Sequence, residues 1–382
     1  MVNDRPKHGV PVRDFRIDFF RGFALYMILV DHVRGDPIRL FTYHSFGFSD
    51  AAEIFVFLSG LSCGIVYSHV ISRRGWIGFM AAIIRRSLLI YSYYLLSSIT
   101  IILLLQAASP SIKDVAAVDH SFILLRENPF SAIWSTILLT SPPDLPGILV
   151  LYLVLTPIVI PLFLMGAARN AALTLAASGL IWAISQVYSD LAPHLADHSY
   201  FNPFAWQFLF SIGMFIGINY ELDWSGLRST PIFKWSLVAA WAIVIGSLLY
   251  RVSLFLSSGL QFNLDWLRIS VATRDHMKEN LSVVRLLHFL SVALLVGTYV
   301  KSSSPVFRWP GARIVGCSGM FSLEVFSMSA ILSVVLNIIV VAYHPSVVAK
   351  LVLDGIAILL MCLSAIALTE FRSSRNPNMS PL

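Results

Sequence analysis

Asp18, Arg21, Asp31 and His32 fall in one stretch, RIDFFRGFALYMILVDHV from Arg16 to Val33, that is otherwise apolar. If the stretch crosses a bilayer, each ionisable group costs at least about 2.5–3.5 kcal/mol on insertion scales, so the four are candidates for chemistry. Residues on an α-helix turn by about 100° and rise about 1.5 Å each, which places Arg21 and His32 on nearly the same azimuth, roughly 16–17 Å apart. Asp18 points to the same side, while Asp31 looks about a quarter turn away. An arginine fork stays charged and binds phosphate bidentately. A histidine with a pKa near its usual value of about 6.5 is suited to taking a proton from a hydroxyl during acyl transfer. The spacing thus fits a donor with an anionic head and a long arm. A purely structural reading stays open: Arg21 snorkels at the boundary, paired with Asp18, and His32 hydrogen-bonds a neighbouring helix.

Other polar residues gather near apolar segment ends. His44, Asp50 and Glu53 flank the start of the second apolar run. Asp50 or Glu53 could orient His32 or bind sugar hydroxyls. Glu53 is a stronger orienter than Asp31, although an acid in a first helical turn also complements the helix dipole. His44 is a rival catalytic base. Asn202, Trp206 and Gln207 in FNPFAWQF combine apolar area with placed amides, as substrate sites do; an interfacial tryptophan belt explains Trp206 equally well. Arg285 and His288, three apart, form a polar stripe suited to an anionic acyl group or the acceptor. Glu324 is a buried acid, in a site or in an ion pair.

These side chains need a membrane-spanning scaffold. The 382 residues are 57% hydrophobic and 13% charged, too apolar for an average soluble domain. The long, blocky runs predict helices and exclude barrel strands. Spans are expected near 17–34, 52–71, 82–107, 147–166, 170–188, 204–220, 232–256, 281–301, 318–343 and 347–370. These make one all-α transmembrane domain of about ten helices over 1–382, with short tails at 1–15 and 371–382. The run from Phe130 to Thr140 reads as a re-entrant or interfacial piece. Lys and Arg concentrate in alternate connections, which puts both termini in the cytoplasm. The stretch 257–280, of balanced charge, is expected to be an outer loop or a lip over a site. The basic N-terminus reads as leading into a retained first helix, not a signal peptide. The net charge of +6 reflects orientation and not nucleic-acid binding. Cys63, Cys317 and Cys362 are too scattered for a disulfide framework, and no metal site is expected.

Asp18, Arg21, Gly22 and His32 match the opening pattern of the membrane acyltransferase-3 superfamily, and GFSDAAEIFVFLSG resembles its second signature, with Glu53 where that family usually has Asp. Arg85 and Arg86 resemble its basic cluster before the third helix. More narrowly, DHV at Asp31–Val33, FGFSDAAEIFVFLSG at Phe46–Gly60, LPGILVLYLVLTP at Leu145–Pro157, FNPFAWQFLFSIG at Phe201–Gly213 and VVRLLHFLS at Val283–Ser291 are similar to blocks of the OpgC family of osmoregulated periplasmic glucan succinyltransferases, in order. The resemblance implies an acyltransferase-3-like bundle in the bacterial inner membrane. It also implies transfer of an acyl group, succinyl in the narrower family, from cytosolic acyl-CoA to a glycan hydroxyl on the other side. His32 would then be catalytic, with Asp31 or Glu53 assisting, and Arg21, with Asp18, Arg85 and Arg86, would hold the CoA side. Lipid and a glycan acceptor are the expected partners, and a homodimer is an allowed assembly. The rivals are a polytopic transporter or an export partner; no inverted repeat favours the first.

Overall fold

Inside a bilayer the backbone has no water to bind, so long apolar runs satisfy their amides as helices. The computed structural model describes residues 14–108, 128–188, 201–260 and 278–375, and these contain helices and no strand. The helices are α1 (Phe15–Asp31), α2 (Ala51–Ala108), α3 (Pro129–Ile137), α4 (Gly147–Val154), α5 (Ile160–Val187), α6 (Pro203–Ile218), α7 (Ser225–Ser229), α8 (Pro231–Leu260), α9 (Val283–Tyr299), α10 (Pro310–Met320), α11 (Ser322–Tyr343) and α12 (Val347–Arg375). Five stretches are long and apolar enough to cross a membrane: Ala51–Ala108, Gly147–Val187, Pro231–Ser253, Ser322–Tyr343 and Val347–Ser374. The first two are broken internally. Gly75 takes φ 63° inside α2, and Asn170 takes an extended conformation inside α5. A π turn at Leu155–Val159, containing Pro157, joins α4 to α5.

The predicted segment positions agree with these helices closely, and the half-length run near Phe130 is the nine-residue α3. The first segment departs: the expected helix to residue 34 stops at Asp31, with His32 as its cap. Gly35, at φ 60°, then turns the chain into short 3-10 segments at Pro37–Phe41 and Tyr43–Ser45. Of the charged stretch 257–280, Asp265, Arg268, Arg274, Asp275 and His276 lie outside the described residues.

Two close crossings fix the frame. Gly60 and Gly64 of α2 face Gly213 and Gly217 of α6 so tightly that a Cβ on Gly213 would come 2.3 Å from the Phe57 carbonyl oxygen. Small residues spaced by four allow this approach, which replaces the hydrophobic drive absent between helices in lipid. Gly22 of α1 meets α10 the same way, where a Cβ would lie 1.9 Å from the Val315 carbonyl oxygen. Substitution at either crossing forces backbones apart. Both crossings hold α1 and α2 against fixed partners, and the candidate site lies where those two helices meet the loop between them.

Candidate active site

A cavity of about 360 Å³ opens at the C-terminal end of α1. Ile28, Asp31 and His32 form one wall, and Arg39, His44 and Phe48 of the following loop form another. The start of α2 (Asp50 to Ala52), the approach to α4 (Asp144, Leu145, Ile148), Phe201 before α6, Tyr250 and Arg251 of α8, Lys278, Arg285 of α9 and Phe326 of α11 complete it.

His32 is exposed into this space. Its Nδ1 lies 2.7 Å from the Ile28 carbonyl oxygen, one turn back. A carbonyl only accepts, so Nδ1 carries the proton and Nε2 keeps its lone pair. Ending α1 here leaves cap groups to satisfy, and Asn337 of α11 does so. Its Nδ2 donates to the His32 carbonyl at 2.8 Å and its Oδ1 accepts from the Arg34 amide at 2.8 Å. The backbone carrying His32 is therefore clamped on both sides of the residue.

The expected acid partners of His32 are otherwise engaged. Asp31 lines the cavity, but its Oδ1 accepts from the Thr42 hydroxyl at 2.5 Å. Glu53, 0% exposed, does not line the cavity. Its Oε2 accepts from the Asp50 amide at 2.9 Å, while Asp50 Oδ1 accepts from the Ala52 amide at 2.8 Å, so the two acids form a cap for α2. Glu53 Oε1 then takes the Arg285 guanidinium at 2.6 Å. The expectation that a carboxylate orients His32 is thus corrected: the helix's own carbonyl does it.

Asp50 instead gathers cations. Its Oδ2 lies 2.9 Å from Arg285 Nη2 and 3.1 Å from Lys278 Nζ. Burial alone would push its pKa up, but the Lys278 and Arg285 charges outweigh burial and hold it well below the usual carboxylate range. FNPFAWQF serves this cluster from behind. Asn202 caps α6 and donates to Asn280 Oδ1 at 2.7 Å. Trp206 Nε1 donates to the carbonyls of Lys278 and Glu279 at 3.1 and 3.0 Å. Gln207 ties α6 to Ser178 of α5. None of the three lines the cavity; Trp206 fixes the backbone that presents Lys278, and Asn202 holds the neighbouring Asn280.

His288 is also outside the cavity. It packs on Gly47, with its Nδ1 2.7 Å from Ser49 Oγ, and supports the loop before α2. His44 lines the cavity, and its Nε2 accepts from Arg39 Nη2 at 3.3 Å. Burial, with the nearby Arg39, Arg251 and Lys278 charges, pushes its pKa down to about 4 against the pull of Asp50. Glu324, half-buried in the first turn of α11, does not line the cavity.

Arg21 lies apart from this cavity. Its Nη2 donates to the Leu58 carbonyl at 3.1 Å and to Ser62 Oγ at 2.5 Å, with Asp18 4.0 Å from Nη1. Arg85 and Arg86 are exposed on α2. Aromatic rings fill the space towards the cavity: Phe326, a lining residue, lies 6.1 Å from Phe55, and Phe55 stands edge-on to Tyr152 at 5.9 Å. Tyr152 donates in turn to Ser59, within a turn of Ser62.

Sequence reasoning passed over Asn337, Thr42, Arg39 and Arg251, and reached Lys278 only as part of the 257–280 stretch read as a loop or a lip over a site. An asparagine inside an apolar span was a legible signal for Asn337, and so was an arginine inside the 232–256 run for Arg251; Thr42 and Arg39 sit in a connection, where polarity is ordinary.

Comparison with known proteins gives one family. A family model described as OpgC protein matches residues 13–373, nearly the whole chain. No curated protein and no solved structure matches.

Proposed function

The chain belongs to the OpgC family, and from that premise we propose that it is a membrane O-acyltransferase moving a succinyl group from cytosolic acyl-CoA to a hydroxyl of a periplasmic glucan. In this reading the chain crosses the inner membrane ten times with both termini in the cytoplasm, the breaks at Gly75 and Asn170 each marking a return. The N-terminal end of α1 then faces the donor and the cavity faces the acceptor.

The observation that carries the reading is His32: a tautomer whose Nε2 has no partner among the described residues, on a clamped backbone, facing an open cavity walled by both apolar and charged side chains. The glucan hydroxyl oxygen attacks the thioester carbonyl carbon as Nε2 takes the hydroxyl proton. The C–O bond forms, the C–S bond breaks, and the proton passes from His32 to the departing thiolate. Holding both reactants in one cavity supplies orientation and keeps water from the thioester. Lipid on the outside and glucan at the mouth are the partners this requires.

Mass spectrometry of periplasmic glucans from cells making the wild type or His32→Ala tests it. The wild type should add the mass of a succinyl group, and His32→Ala should add none at equal protein level. Unchanged acylation overturns the assignment, and substrate flux in proteoliposomes without donor turnover would point to a transporter.

A further inference from the structure

Four cationic side chains line the cavity, and their partners differ. Lys278 and Arg285 share Asp50, and Arg285 also holds Glu53. Arg251 is turned to the loop backbone, with Nε on the Gly47 carbonyl at 2.9 Å and Nη2 on the His44 carbonyl at 3.1 Å. Among the described residues, the Arg39 guanidinium has no acid within ion-pair distance. Its contact is His44 Nε2 at 3.3 Å, a neutral acceptor. Asp36, the nearest acid along the chain, accepts from the Ile38 amide at 2.8 Å, and Asp31 accepts from Thr42.

The side chain is thus unneutralised, but its backbone is fixed. The Arg39 carbonyl accepts from Ser45 Oγ at 2.7 Å and lies 2.9 Å from Thr42 Oγ1. The same Thr42 hydroxyl touches Asp31, so the loop carrying Arg39 is pinned to the end of α1 beside His32. A guanidinium with free donors, on the wall of the cavity that holds His32, is arranged to receive a carboxylate in two parallel hydrogen bonds.

We propose that Arg39 is the specificity-determining residue that binds the free carboxylate of the acyl group while its thioester carbonyl is held at His32. The proposal rests on the acyl-transfer reading above and adds to it a reason for choosing a dicarboxylic acyl group over a neutral one. His44, kept neutral, steers the guanidinium without competing for the charge.

Transfer to an uncharged glucan by the full-length protein in lipid nanodiscs, from succinyl-CoA or acetyl-CoA, tests this. A charge-assisted bond of about 1.5–3 kcal/mol corresponds to roughly ten- to a hundredfold. Arg39→Met should lower the ratio of kcat/KM for succinyl-CoA over acetyl-CoA by that factor, and Arg39→Lys should keep most of the preference. An equal fall with both donors overturns the proposal. So does a loss seen only with a glucan bearing anionic substituents, which would place the bound charge on the acceptor. If wild type transfers neither acyl group, the acyl-transfer reading fails as well, and that outcome is distinct from a loss confined to the variant. Monodisperse elution of each variant controls for folding.

Discussion

The two ends of α1 carry the residues that drew attention first, and they are built differently. At the C-terminal end His32 faces a cavity, its ring set by Ile28 and its backbone by Asn337. At the other end Arg21 is enclosed, its Nη2 given to Leu58 and Ser62. Spacing along one helix face treats these residues alike, but packing separates an open reaction site from a filled crevice. A local bond alone does not make the difference. His69 makes the same 2.7 Å contact to the carbonyl one turn back, yet it faces Glu221 and does not line this cavity.

The largest expected effect is at the charge cluster beneath the cavity. Arg285→Met strands Glu53 as a buried acid and leaves Asp50 with Lys278 alone, and breaking such a network costs about 3–5 kcal/mol. The folded fraction in detergent should drop accordingly, and an unchanged melting temperature would show that the cluster does not hold this end together.

Arg21 sharpens the contrast. Arg21→Leu leaves the Leu58 carbonyl and Ser62 hydroxyl without this donor, a loss of about 1–3 kcal/mol in stability. Thermal melts should register it. A variant that melts normally but has a much higher KM for the donor would show that Arg21 is a binding group before it is a structural one.

Asn337 tests how much positioning His32 needs. Asn337→Ala should cut kcat by about tenfold or more while KM holds, because a small displacement of a reacting group is costly. A parallel rise in KM would assign Asn337 to substrate binding instead.

The smallest effect concerns His44. Its folded pKa of about 4 lies below its ordinary 6.5, so the unfolded chain binds more protons between those values. This contribution to stability is complete above pH 6.5 and is lost as pH falls towards 4. His44→Gln should flatten that part of the pH–stability curve.

Much of the scaffold was legible because lipid demands long apolar helices, and their positions follow from composition. The end of α1 was not, since Asn337 satisfies its cap from 305 residues away. The partner of His32 was misjudged because the residues weighed were acids, whereas Nδ1 uses a backbone carbonyl that every sequence supplies. In FNPFAWQF the Trp206 indole holds the backbone of Lys278 and Glu279, while the Asn202 and Gln207 amides tie α6 to Asn280 and to Ser178. The glycine pairs Gly60/Gly64 and Gly213/Gly217 were in plain view and would have paired α2 with α6.

The central claim is that His32 Nε2 is the base. Transfer of a succinyl group to glucan by nanodisc-embedded wild type and His32→Gln, compared at equal amounts of folded protein, tests it most directly. Loss of general base catalysis predicts a fall in kcat of about 10²–10⁴. A His32→Gln rate within about twofold of wild type would contradict the account.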